Sequence, residues 1–160
     1  MLTWLTGTTL GKLLSTFFIS MVPVVELRLG LPYGIALGLN YWMALAAAVL
    51  GNMIPVPFIV VYIERVFLWL RGRLKKLDDW ISSLESKANF KGERVKKYGP
   101  IALLTFVAIP LPGTGAWTGA LIAALLDMPV KKAMPTIFLG VLIAAAIMTG
   151  ITFGAIHVFW

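Results

Sequence analysis

The chain has 160 residues, of which 59% are hydrophobic and 13% are charged, and its mean hydropathy is +0.89. A typical soluble domain is about half apolar and about one quarter charged, so this composition excludes an ordinary soluble monomer. The sequence has no cysteine and a single histidine, which excludes disulfide frameworks, thiolate chemistry and histidine-rich metal sites. The net charge of +7 fits the basic cytoplasmic loops of membrane proteins, and we expect no nucleic-acid partner.

The first apolar stretch, Leu13 to Val22, is too short to cross a bilayer and is followed by a break. About ten helical residues span about 15 Å, half of the hydrocarbon core. The break contains Pro23, Pro32 and the charged residues Glu26 and Arg28. Half-length helices on both sides of a proline break are typical of a re-entrant helical hairpin, which requires surrounding protein or a polar cavity at membrane depth.

The next stretch, Tyr41 to Leu70, has the length of a full transmembrane helix. Asn40 precedes it and is a suitable N-cap. Pro55 and Pro57 lie within it, where proline frees backbone carbonyls that either coordinate a cation or only accompany a kink. The same region contains Asn52, which is a candidate substrate-binding residue.

Residues 71–97 form a strongly polar connector between the apolar stretches. Its apolar residues recur at spacings of three and four, which predicts an amphipathic helix on the inner leaflet. Basic side chains would bind anionic lipid there. The alternative is a solvated connector with no role beyond topology. The apolar positions are Leu74, Leu77, Trp80, Ile81 and Leu84.

Basic residues orient the chain in the cell membrane. Of the 14 Lys and Arg residues, 12 lie within residues 65–97 or at Lys131 and Lys132, and such regions face the cytoplasm. The long helix from Tyr41 then begins outside, so the first hairpin enters from outside and a second one from the cytoplasm. A competing interpretation makes residues 5–25 one full span with a cytoplasmic N-terminus.

The second half begins with another half-length stretch, Tyr98 to Ile109. A half-helix from Ala116 would direct its free N–H groups toward the bilayer midplane, where they would favour an anionic group. Thr114, Trp117 and Thr118 are candidate substrate-binding residues there. The alternative is that this segment only packs helices. The break is formed by Pro110, Pro112, Gly113 and Gly115.

The two halves resemble one another. A shift of 87 residues places Pro23 on Pro110 and Asn40 on Asp127, so Asp127 is predicted to cap the last long helix, Ala133 to Trp160. Opposite entry sides make this an inverted repeat, in which transporters place substrate sites near the midplane. We therefore predict an all-α integral membrane protein with two inverted repeats, each a re-entrant hairpin plus a long transmembrane helix. The single domain 1–160 divides into 1–70, the cytoplasmic connector 71–97 and 98–160.

Two motifs carry a family resemblance over most of the chain. PVVELRLGLPYGIALGLN and GNMIPVPFIVVYIERVF resemble the family described as putative small multidrug export proteins. The second half, KYGPIALLTFVAIPLPGTGAWTGALIAALLDMPVKK, is similar at greater distance to the DedA membrane proteins. That similarity implies two facing re-entrant hairpins and, for some members, translocation of polyprenyl-phosphate lipids. The chain has Ala108 and Thr114 where DedA relatives carry arginines around the second break.

Glu26 and Arg28 are the charges deepest in an apolar region, where ionisable groups are functional hypotheses by default. Arg28 could bind a phosphate or carboxylate, and Glu26 could couple transport to a proton or cation. Alternatively, the two only neutralise each other and pin the turn.

The predicted function is a transporter or lipid translocase for an amphipathic, polyprenyl-phosphate-like anion. The alternatives are export of small cationic drugs and a scaffold that does not transport. We expect no enzymatic activity, cofactor or metal, because no phosphate loop, Ser/His/Asp set or paired-carboxylate motif is present. The expected partners are membrane lipids and a lipid-like or small-molecule substrate, and the glycine-rich helix faces would allow a homodimer.

Overall fold

The computed structural model describes residues 7–71, 92–111 and 113–159, and these ranges contain helices and no strand. The all-helical fold predicted from the sequence is therefore confirmed for this part of the chain. We number the helical segments in chain order: α1 Thr9–Met21, α2 Glu26–Ala36, α3 Tyr41–Met53, α4 Pro55–Arg71, α5 Gly92–Ala108, α6 Ala116–Leu125 and α7 Val130–Phe159.

Two helical stretches are long and apolar enough to cross a membrane, Tyr41–Ile63 with 23 residues and Val130–Gly154 with 25. At 1.5 Å per residue they measure about 35 and about 38 Å, more than the roughly 30 Å of a hydrocarbon core. Ile54 separates α3 from α4 but keeps helical backbone angles, and its N–H bonds the carbonyl of Leu50. The long helix predicted from Tyr41 is thus interrupted at one residue, just before Pro55. Both stretches support an integral membrane protein.

Three helices are too short to span a bilayer, since α1, α2 and α6 have 13, 11 and 10 residues. The first begins at Thr9, before the predicted Leu13, because the Thr8 hydroxyl caps it by accepting the N–H of Gly11 at 3.1 Å. It ends at Met21, so a continuous helix through residues 5–25 is wrong at its C-terminal end.

The predicted connector 71–97 lies mostly outside the described residues, which omit 72–91. Its last part, residues 92–97, belongs to α5, which begins at Gly92. The apolar part of α5 runs from Tyr98 to Ala108, so the predicted apolar stretch from Tyr98 to Ile109 is confirmed except for its last residue. The polar residues 92–97 precede this part on the same helix.

Pro32 lies inside α2, so the prediction that it breaks the first hairpin is wrong. The turn occupies residues 22–25 instead. A proline inside a helix leaves the carbonyl four residues earlier, here that of Arg28, without its helical donor. The helix persists because Leu27 and Leu31 on its inner face are only 1% and 0% exposed, and this burial outweighs the lost hydrogen bond.

Asn40 is the N-cap of α3, and its side chain accepts the N–H of Trp42 at 3.0 Å. Asp127 does not cap α7, because it adopts a φ of 48° at the end of α6. The N–H groups of Asp127 and Met128 bond the carbonyls of Ala124 and Ala123, which is the Schellman arrangement. The prediction that Asp127 is an N-cap is therefore wrong.

Gly38 ends α2 in the same way, with a φ of 78° and hydrogen bonds from residues 38 and 39 to Ile35 and Gly34. Gly38 and Asp127 are 89 residues apart. The two helix ends therefore match in a register two residues longer than the 87 predicted from Pro23 and Pro110.

Paired substitutions at these two helix ends test the role of backbone conformation. We expect Asp127→Gly to raise the free energy of unfolding by up to about 1 kcal/mol, because glycine adopts a positive φ without a Cβ clash. Gly38→Ala should lower it by about 1 kcal/mol for the same reason. Unfolding in detergent micelles measures both. A gain of stability in Gly38→Ala would contradict this assignment.

The helices pack so that two turns face each other. The first turn is residues 22–25, between α1 and α2, and the second turn is residues 109–111 and 113–115, between α5 and α6. Helix α1 packs against α2 and α3, α5 packs against α7, α4 packs against α6, and α2 contacts α7. Small residues allow this close approach. At Gly51, for example, an added Cβ would collide with the backbone carbonyl of Phe17. The core is correspondingly rich in alanine: Ala44, Ala48, Ala116, Ala120, Ala123 and Ala133 are each completely buried.

Candidate functional site between the two turns

Glu26 and Arg28 form an ion pair at the start of α2. Arg28 Nη1 lies 3.2 Å from Glu26 Oε2, and the two side chains are 12% and 5% exposed. Residues two apart in a regular helix do not face each other. They meet here because Glu26 has a φ of 48°, which redirects its side chain.

The Glu26 carboxylate occupies the N-terminus of α6. Its Oε1 accepts the backbone N–H of Trp117 at 3.2 Å, one of the N–H groups that lack a helical acceptor. The positive end of the α6 dipole also favours a negative charge there. The sequence predicted an anionic group at this place, and in the structure that group is the chain's own carboxylate.

Gly115 provides the space for this carboxylate. An added Cβ would collide with Glu26 Oε2, although the φ of Gly115 is −176°, a conformation that any residue can adopt. Glycine is required here for its size. The sequence identified Gly115 only as part of the break, because nothing local indicates which side chain approaches it.

Arg28 connects the first turn to the second. Its Nη2 donates to the Thr114 hydroxyl at 2.9 Å and to the Ile109 carbonyl at 3.3 Å. Thr114 is held in place because its hydroxyl also lies 2.6 Å from the Ile109 carbonyl. Ile109 follows the last residue of α5, so its carbonyl is at the negative end of that helix dipole. The negative charge of Glu26 thus lies at the positive N-terminal end of α6, and the positive charge of Arg28 lies at the negative C-terminal end of α5.

Trp117 makes a second connection between the turns. Its indole N–H donates to the carbonyl of Met21 at 3.0 Å, and Met21 is the last residue of α1. The sequence named Trp117 but not the carbonyls of Met21 and Ile109. The last carbonyls of every helix lack helical donors, and this general rule could have identified both once the helix ends were known.

A small cavity borders the ion pair of Glu26 and Arg28. It has about 10 Å³ of room for the centre of a water molecule, which is about the space that one water needs. Asn52 reaches it from α3 and is 3% exposed. Among buried side-chain atoms of the described residues, Asn52 Oδ1 and Arg28 Nε have no hydrogen-bond partner. The lining consists of Glu26, Leu27, Arg28, Asn52, Val107, Gly115, Ala116, Val141 and Ala144.

The structure brings most of the predicted site residues to one place. Glu26, Arg28, Thr114 and Trp117 are joined by hydrogen bonds, and Asn52 lines the cavity with the first two. Thr118, half-buried on α6, is not part of the cavity wall. The roles predicted for all of these site residues in binding and coupling stay predictions.

Of the predicted break residues, Pro23, Pro110, Gly113 and Gly115 lie in the turns, and Pro112 is outside the described residues.

The first turn contains backbone strain. Val24 has a φ of 74°, which is unfavourable for a β-branched residue, and its side chain is 72% exposed. Residues in such conformations cluster at ligand sites and switches, where the surrounding structure holds them. The strain at Val24, two residues before Glu26, therefore supports a functional role for this turn.

In the described part of the chain, no three His, Cys, Asp or Glu side chains gather as metal ligands.

Comparison with known protein families identifies a match that covers most of the chain. A family model described as Putative small multi-drug export protein matches residues 26–147. This range begins at Glu26 and includes Arg28, Asn52, Thr114 and Trp117. No curated protein and no solved structure matches the chain. Because the family model covers well over half of the sequence, the chain belongs to the small multi-drug export protein family.

Proposed function

We propose that the protein is a transporter that moves an amphipathic anion through a site between the two turns. The bridge made by Arg28 carries this proposal, since one guanidinium, on a side chain that is 12% exposed, contacts Glu26, Thr114 and the carbonyl of Ile109. A guanidinium presents a planar set of donors that suits phosphate or carboxylate. A substrate anion that replaced Glu26 on Arg28 would loosen the contact between the turns.

The architecture that we propose is an inverted repeat in the cell membrane. The units α1–α2 and α5–α6 would be re-entrant hairpins that enter from opposite sides, and α3–α4 and α7 would be the spans. The matching C-terminal ends of α2 and α6 and the equivalent contacts of α1 with α3 and of α5 with α7 support this proposal. In transporters with such repeats, access alternates as one unit rocks against the other.

Glu26 is the proposed coupling residue. While charged, the carboxylate binds both Arg28 and the N–H of Trp117, which are the two groups that an anionic substrate needs. Protonation would neutralise the carboxylate and release both groups. Proton uptake and anion binding would therefore occur together, and proton release would expel the anion. A lipid phosphate is the substrate that the resemblance of the second half to DedA proteins implies, although Ala108 and Thr114 stand where those relatives carry arginines.

Glu26→Gln tests this coupling at nearly constant side-chain volume. In vesicles with an imposed pH gradient, the variant should exchange a labelled polyprenyl phosphate but fail to accumulate it, and its rate should lose the pH dependence of the parent. Asp127→Asn, a neutralised carboxylate at the end of α6 away from the cavity, is the control and should behave as the parent. Uphill accumulation by Glu26→Gln equal to the parent's would contradict coupling through Glu26.

The substrate class is tested in the same vesicles with a cationic dye. Uptake of the dye instead of the lipid phosphate would assign Glu26 as the counter-charge of a cation and would identify a small-cation exporter. If neither probe moves under any gradient, the proposed transport is wrong and a scaffold that uses the ion pair only for stability explains the site.

Topology gives a separate test, because the chain has no cysteine and single cysteines can be introduced freely. A cysteine at Ser83, in the predicted cytoplasmic connector, should react with a membrane-impermeant maleimide only from the inside. Cysteines at Thr3 and Phe159 should react only from the outside. Labelling of Thr3→Cys from the inside would exclude the inverted repeat.

A further inference from the structure

The cavity that borders the ion pair contains a buried acceptor that the charged state of the site does not use. Asn52 is 3% exposed, and its Oδ1 has no hydrogen-bond partner among the described residues. A buried acceptor without a donor is destabilising, and an aliphatic side chain would avoid that cost. A state of the protein that places a donor in the cavity would satisfy this acceptor.

Two side chains in the lining of the cavity could supply that donor: Arg28, whose Nε has no partner among the described residues, and Glu26 once it is protonated. Among the described residues that line the cavity, Arg28 and Glu26 are the titratable ones, and the walls contributed by α5 and α7 are Val107, Val141 and Ala144. The charged Glu26 carboxylate has acceptors only and so cannot bond Asn52 Oδ1. A protonated Glu26 gains one O–H donor, and that donor would face the same cavity.

We propose that Asn52 Oδ1 accepts the O–H of protonated Glu26, so that the carboxyl group has two positions. In the first, the carboxylate binds Arg28 Nη1 and the N–H of Trp117. In the second, a proton taken from water is bound to one carboxyl oxygen, the ion pair with Arg28 is broken, and the new O–H points to Asn52. Asn52 is thus a positioning residue that acts through Glu26.

The geometry of the site supports this exchange. The cavity has space for about one water, which is room for one carboxyl oxygen to turn toward Asn52. Rotation frees the guanidinium of Arg28, whose Nε also lacks a partner in the described structure. A substrate phosphate or carboxylate could then accept from Nη1 in place of the Glu26 carboxylate, as a charge-assisted hydrogen bond. This inference rests on the proposed coupling role of Glu26 and adds the group that stabilises its protonated form.

Infrared difference spectroscopy of the purified full chain, titrated with acid, tests the hydrogen bond directly. The parent should develop a protonated-carboxyl C=O band that is absent in Glu26→Gln, which assigns it to Glu26. In Asn52→Leu, this band should move to higher wavenumber, because the O–H has lost its acceptor. The pH at which the band is half developed should fall by about 1 unit, the equivalent of one typical hydrogen bond.

Thr16→Val is the matched control, since it also replaces a fully buried polar residue but its hydroxyl bonds the carbonyl of Lys12 within α1. The Glu26 band should not change in this variant. Asn52→Ala provides a smaller side chain if leucine prevents folding, and it should shift the band in the same direction. A Glu26 band that keeps its wavenumber and midpoint in both Asn52 variants would overturn the proposal.

The spectroscopic result is independent of the transport assay. A band shift in a protein that transports neither lipid phosphate nor cationic dye would uphold the hydrogen bond and reject the transport function. Conversely, coupled transport through Glu26 with no band shift in the Asn52 variants would uphold the function and reject the role of Asn52.

Discussion

Arg28→Ala is expected to lower the free energy of unfolding by about 3–5 kcal/mol, because it leaves the Glu26 carboxylate buried without its counter-charge. The Glu26 side chain is 5% exposed, so bulk water solvates the carboxylate poorly once the guanidinium is gone. The substitution also removes the hydrogen bonds to Thr114 and to the carbonyl of Ile109, which join the two turns.

A second substitution separates the charge effect from the lost contacts. Glu26→Gln in the Arg28→Ala background removes the buried charge, so the double variant should recover most of the lost stability. Lys131→Ala, at an exposed basic position, should change the free energy of unfolding by less than about 0.5 kcal/mol. Reversible unfolding in mixed micelles measures all four proteins. A double variant as unstable as Arg28→Ala would show that the lost contacts, and not the buried charge, dominate.

Gly115→Ala is expected to lower the free energy of unfolding by about 1–3 kcal/mol, the range for inserting a methyl group into a closely packed site. The new Cβ would collide with the carboxylate of Glu26. Either the carboxylate leaves the N–H of Trp117 or α6 moves away from α2. Both outcomes disturb the contact between the turns, so transport should also be lost.

The shorter carboxylate of Glu26→Asp relieves this collision. Gly115→Ala and Glu26→Asp should therefore be less damaging together than the sum of their separate effects, as expected for residues in contact. Gly150→Ala is the matched control, because nothing lies within 4 Å of its added Cβ and alanine favours a helix by up to about 1 kcal/mol. Additive effects of Gly115→Ala and Glu26→Asp would mean that the two positions do not interact.

The ends of the helices illustrate how far local sequence can be used. Asn40 was identified as an N-cap because its side chain bonds an N–H only two residues away, which is a local interaction. Asp127 follows an identical leucine but does not cap a helix. Gly38 supplies the left-handed residue that ends α2, whereas α6 is followed by no glycine, so Asp127 itself takes that conformation. The similarity of the two halves therefore predicted matching turns but misplaced their register.

At Pro32, the local sequence gives a prediction that the rest of the fold overrides. Its effect on the backbone is local and unfavourable, so the sequence alone indicates a break. The buried side chains of Leu27 and Leu31 contact residues that are distant in the sequence. Their burial depends on the whole fold, and it keeps α2 helical through the proline.

Composition and proline placement by themselves determined that this is a helical membrane protein with short helices beside two breaks, because helix length and chain breaks depend on neighbouring residues. They also identified Glu26 and Arg28, since charges are rare in apolar segments. Only the tertiary structure decided what these charges contact. The N–H of Trp117, the hydroxyl of Thr114 and the space beside Gly115 lie more than 80 residues away along the chain. No local pattern specifies such contacts, because they result from how α2 packs against the second turn and α6.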